Sequence, residues 1–130
     1  ITGNGWKKFE IPTYEVTANT ILEFYYRSSV QGEIQGLGVD NDNDISSQQY
    51  FQLYGTENSG LLDHNNYSSA KLGTWKKYTI SLGNYLIGNI RYLTFINDQD
   101  TANPTAGSWF NNIYLSERLT LNRDNVSILE

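Results

Sequence analysis

The chain of 130 residues has no cysteine, no methionine, two prolines and one histidine. It also has no run of eighteen apolar residues. Each shortage closes a class of explanation. Without cysteine there is no disulfide framework, no thiol nucleophile and no Cys-based zinc site. A lone histidine, His64, cannot build a His-rich transition-metal centre. The missing apolar run sets membrane insertion aside. Nine Lys and Arg, scattered among fourteen Asp and Glu, leave a net charge of −5 and no basic footprint for a phosphate backbone. Neither nucleic acid nor membrane is therefore an expected partner. The chain starts without Met or a signal-like segment, so it reads as a soluble piece cut from a longer protein.

A helical pattern is missing as well. No window of about eleven residues carries the i, i+3, i+4, i+7 stripe, because Gly or β-branched residues interrupt every candidate. What the sequence has instead is strand alternation. In Thr20–Arg27 the residues Leu22, Phe24 and Tyr26 share one face, and Leu93 with Phe95, and Ile113 with Leu115, repeat the spacing. Further runs fall at Ile34–Val39, Tyr50–Tyr54, Trp75–Leu82 and Ile90–Ile96. The pattern Trp-Lys-Lys-aromatic-x-Ile occurs twice, from Trp6 and from Trp75, and predicts strands with lysines facing water and apolar residues facing in. Seven or eight short strands in one domain-sized chain predict an all-β, antiparallel β-sandwich over residues 1–117. Residues 118–130 are a linker or one more strand. The expected core is Leu22, Phe24, Leu37, Val39, Phe51, Leu53, Ile80, Leu93, Phe95, Ile113 and Leu115. Strand parity places the connections 28–33, 55–74 and 97–108 at one end of the sandwich, and 40–49 and 83–89 at the other.

Two loops concentrate oxygen ligands. Asp40, Asp42 and Asp44 alternate with Asn41 and Asn43, which resembles the start of a calcium-binding helix-loop-helix. That motif then fails, with Ile45 where Gly is needed and Phe51 where the bidentate Glu belongs. Asn97, Asp98 and Asp100 sit at the end of a strong strand, between the two runs of Arg91–Glu117. Either loop can serve a hard cation such as Ca²⁺. Carboxylate pairs are plentiful, but they lie in small polar loops rather than in the apolar pocket that raises a general acid's pKa, and no serine elbow or phosphate-cradling loop accompanies them. The reading is therefore a non-catalytic one. Fourteen per cent aromatic residues beside abundant Asn, Ser and Gly suit a secreted β-domain. A sugar-binding surface pairs aromatic rings with fixed hydroxyl partners, and the candidates are Tyr54, His64, Asn65, Tyr67, Trp75, Asn97, Asp98, Asp100 and Trp109.

Gly107–Leu115 (GSWFNNIYL) resembles the last strand of the jelly-roll carbohydrate-binding modules, where an aromatic precedes an Asp/Asn–Ile/Val–x–Leu run. Gly36–Ser46, Phe51–Thr56 and Phe95–Asp100 resemble segments of accessory modules of bacterial enzymes that degrade plant or algal polysaccharides. The resemblance spans about residues 4–117. It implies a jelly roll that binds a polysaccharide or oligosaccharide, with calcium in the manner of the calcium-dependent xylan-binding modules, beside a catalytic domain of the same parent chain. The competing expectation is an adhesin or stalk sandwich in which calcium only stiffens loops.

Overall fold

Strict alternation makes Thr20–Val30 the centre of one sheet: Leu22, Phe24, Tyr26 and Ser28 are buried, while Glu23, Tyr25 and Arg27 point away from the core. The computed structural model describes residues 1–44 and 49–119. Its strands are β1 (Gly5–Val16), β2 (Thr20–Val30), β3 (Ile34–Asp40), β4 (Gln49–Tyr54), β5 (Lys76–Ser81), β6 (Gly88–Asp98) and β7 (Gly107–Glu117). They form two antiparallel sheets, ordered β1-β6-β3-β4 and β5-β2-β7, and the chain is an all-β sandwich. The expectation for residues 120–130, and that for Ile45, lie outside the described residues.

Eight of the predicted core residues, Leu22, Phe24, Leu37, Val39, Phe51, Leu53, Ile80 and Leu93, are buried between the sheets. Phe95, Ile113 and Leu115 are only partly buried. For Phe95 the cause is that the sandwich opens between β1 and β7, leaving a groove of about 560 Å³ lined by Phe9, Ile11, Leu93, Phe95, Trp109 and Phe110. A bulge in β7, with Asn112 at φ 50°, resets the alternation, so that both Phe110 and Leu115 sit on the inner side. In β3 every residue is buried, and a Cβ on Gly36 or Gly38 would collide with the β4 backbone at Phe51 or Gln49. The bare face of that strand is thus filled by a neighbouring chain segment rather than a ligand.

The two Trp-Lys-Lys copies differ. In β5, Tyr78 and Ile80 point in and Lys77 points out, as predicted. In β1, Phe9 lies on the core side of its strand yet is 60% exposed at the open groove. Lys8 is not in water either; its ammonium pairs with the Asp40 carboxylate at 2.6 Å, and the two side chains are 8% and 4% exposed.

The register places the connections 31–33, 55–75 and 99–106 at one end and 17–19 and 82–87 at the other, as parity predicts. At the far end the Glu117 carboxylate accepts hydrogen bonds from Tyr14 (2.6 Å), Thr20 (2.7 Å) and Thr17, which hold its carboxyl below the usual range. At the near end a buried amide network closes the core. Gln35 Nε2 donates to Asn97 Oδ1 (2.9 Å) and Ser108 Oγ (3.0 Å), and Asn97 Nδ2 donates to the carbonyls of Gly3 and Ala106. Gln35→Ala leaves these buried groups without their central partner, and urea denaturation should read a loss of about 1–3 kcal/mol.

Candidate functional site

Arg27 lies on the outer face of the three-stranded sheet because β2 alternates, and the register sets it between two tryptophans. It pairs directly with Trp109 on β7, and Trp75 precedes β5 where Lys76 pairs with Tyr26. The guanidinium carbon stands 4.7 Å from the Trp109 ring centroid and 5.0 Å from that of Trp75. Each such contact is worth about 0.5–2 kcal/mol, more as water is excluded. The ring of Trp109 lies against Gly107, where an added Cβ would come within 2.7 Å of it. Trp75 remains 44% exposed, and Tyr25 (36%) and Tyr114 (61%) continue the aromatic surface along the same face. Arg27 Nε is buried and makes no hydrogen bond within the described residues. An N–H left in that state costs about 1–3 kcal/mol, so this face holds a donor short of an acceptor.

The second constellation forms where β6 ends against the start of β3. Ile34 pairs with Asp98, which brings Glu33 beside it, and the loop after Asp98 returns Asp100 to the same place. One carboxylate oxygen from each of Glu33, Asp98 and Asp100 lies within 4.8 Å of the others. Asp100 N donates to Glu33 Oε2 at 2.5 Å, and Asn4 Nδ2 donates to Asp100 Oδ1 at 2.8 Å. Burial, with Asp100 and Glu33 adding negative charge, pushes the Asp98 carboxyl above its ordinary pKa, while a hydrogen bond with Trp6 pulls it back. Three convergent carboxylates are the donor set of a hard cation, and Ca²⁺ takes further oxygens from water in a flexible shell.

The remaining candidates fall elsewhere. Tyr54 and Tyr67 are 5% and 6% exposed and offer no sugar platform, because their rings pack on each other at 5.3 Å. Tyr67 also packs on Tyr26 and donates to the Lys71 and Thr74 carbonyls. Asn97 is fully buried in the Gln35 network. His64 packs edge-on against Phe51 at 5.8 Å, and desolvation lowers its pKa. Asn65 is half-buried beside it. Asp40, Asp42 and Asp44 are at the opposite end, where the Lys8 ammonium meets the Asp40 carboxylate, the Asp42 carbonyl at 2.9 Å and the Asp44 carbonyl.

Of the predicted site residues, the fold therefore joins Asp98 with Asp100, and Trp75 with Trp109, all at one end. It adds two that sequence reasoning missed. Glu33 carried no signal beyond standing one residue before a strand. Arg27 had one, as the charged end of an alternating strand whose opposite face is wholly core. Comparison with known proteins yields no match: no protein-family model, no curated protein and no solved structure aligns with the chain.

Proposed function

We propose that the chain is a secreted, non-catalytic carbohydrate-binding module of jelly-roll kind, which targets the catalytic domain of its parent protein to a plant or algal polysaccharide. The observation that carries this reading is the stack of Trp75, Arg27 and Trp109 on an open sheet face. A pyranose presents flat C–H surface that an exposed indole covers, while guanidinium and tyrosine hydroxyls meet its oxygens. Calcium enters the proposal through Glu33, Asp98 and Asp100. There it fixes the loop end beside the platform. The hydrogen bonds from Asn4 and Asp100 tie three chain segments at that point and favour a second reading, an adhesin or stalk sandwich whose calcium is purely structural.

Pull-down on insoluble xylan, mannan, cellulose and pectin, in calcium and in chelator, separates the two. The module should be retained by at least one glycan. Trp75→Ala should weaken that binding by roughly 30-fold, the effect of losing about 2 kcal/mol at an anchoring aromatic. Retention by none of them under either condition rejects the binding module in favour of the stalk.

A further inference from the structure

The chain is acidic overall, yet four of its nine basic residues, Arg27, Lys71, Lys76 and Lys77, gather around Trp75. A groove of about 700 Å³ runs along the β5 edge, lined by Asn66, Lys71, Thr74, Trp75, Lys76 and Lys77. Trp75 belongs both to this groove and to the Arg27 stack, so groove and platform form one continuous surface. The charges there are poorly neutralised. Within the described residues no carboxylate pairs with Arg27, Lys71 or Lys76, and Lys77 has only Glu23 at a loose 3.8 Å. Lys76 is held at 2.9 Å by the Asn66 side-chain oxygen, a neutral partner that aims the ammonium without cancelling its charge. Arg27 Nε adds a buried donor with no acceptor among the described residues.

We infer that the glycan taken by this surface is an acidic one, a polyuronate whose pyranose faces cover Trp75 while its carboxylates meet Arg27 and the groove lysines. The inference rests on the carbohydrate-binding reading above. A uronate matches both halves of the surface, an apolar ring face for the indole and a planar carboxylate for the guanidinium fork. The repeat of a polyuronate places a carboxylate on every sugar, which suits cations spread along a groove rather than one fixed charge. Nucleic acid is a poorer fit, because the patch is confined to one edge of a chain of net charge −5.

Calorimetry with three hexasaccharides tests this: oligogalacturonate, its methyl ester and neutral xylohexaose, each titrated into the wild type and into Arg27→Gln and Lys71→Gln. The acid should bind at least tenfold tighter than its ester. Its affinity should fall with added salt, and each variant should weaken it at least threefold, Lys71→Gln while changing ester binding little. Lys71 is exposed and outside the Trp stack, so it reports on charge even if Arg27→Gln unfolds the platform. Equal affinity for acid and ester, or indifference to both substitutions, overturns the acidic glycan and leaves the binding module standing. Binding of none of the hexasaccharides or of the insoluble glycans removes both. Titrated beside them as controls, a sulfated galactan hexasaccharide or poly(U) that binds tighter than the uronate also overturns the assignment.

Discussion

Asp40→Ala should lower the stability of the fold by about 3–5 kcal/mol, the cost of leaving a buried ammonium unpaired. Lys8 is 8% exposed on its side chain and Asp40 4%, and they meet at 2.6 Å. Removing the carboxylate leaves Lys8 with neutral partners in the carbonyls of Asp42 and Asp44 and the ring of Tyr92, which cannot balance its charge. Denaturant midpoints give the loss directly. The double variant Lys8→Met, Asp40→Leu should recover most of it, because a buried pair replaced by apolar side chains of similar size is close to neutral. A single variant within 1 kcal/mol of wild type would mean that the loop lets water reach Lys8. The pair also bears on the calcium proposal. An ammonium already occupies the Asp40–Asp44 turn, so calcium has to displace a cation there, whereas at Glu33, Asp98 and Asp100 it relieves repulsion.

Relief of repulsion gives the second prediction its sign. Burial and the neighbouring carboxylates raise the folded pKa of Asp98, so the folded state holds that proton more tightly than the unfolded chain does. Without calcium, this group's contribution makes the protein more stable as pH falls through the raised pKa, and less stable above it. Asp98→Asn removes the burdened charge and should leave the calcium-free protein at neutral pH as stable as wild type or more so. If the proposed site holds calcium, Ca²⁺ at a hundredfold excess over Kd should add about 2.7 kcal/mol to wild type by mass action, a rise in Tm on the order of 10 °C. In Asp98→Asn that rise should vanish. Differential scanning calorimetry in calcium and in chelator reads both effects. A wild type whose Tm ignores calcium refutes the metal site, and an unchanged calcium response in the variant moves it elsewhere.

The strands that bury one face were the most legible, because alternation writes period two into the chain, Leu22-x-Phe24-x-Tyr26 most plainly; β3, buried throughout, was marked instead by its apolar run and glycines. Connection ends followed from parity alone, which needs only the number of strands. The site was legible in part. Strand alternation tells that Trp75 and Trp109 begin strands, but not that Arg27 stands between them, since that depends on the register of three strands joined across sequence. Tyr54 and Tyr67 show the opposite difficulty. A tyrosine suits a core and a sugar platform equally well, and only the packing against Tyr26 decides that these two are core. The ion pair at the Asp40 loop was hidden for a similar reason, because its counter-ion, Lys8, is 32 residues away in sequence.

The long connection 55–75 turns back along β4: Leu61 exchanges backbone hydrogen bonds with Tyr50 and Gln52, and Tyr67 N donates to the Leu53 carbonyl. β4 would otherwise end its sheet with a row of unpaired amides and carbonyls, a template on which a second chain could add a strand. This connection therefore acts as a guard against self-association. A single proteolytic cut near Asn58 should loosen that guard and free the backbone groups of β4 to pair with a second chain, a gain in self-association that size-exclusion chromatography of nicked and intact protein would read.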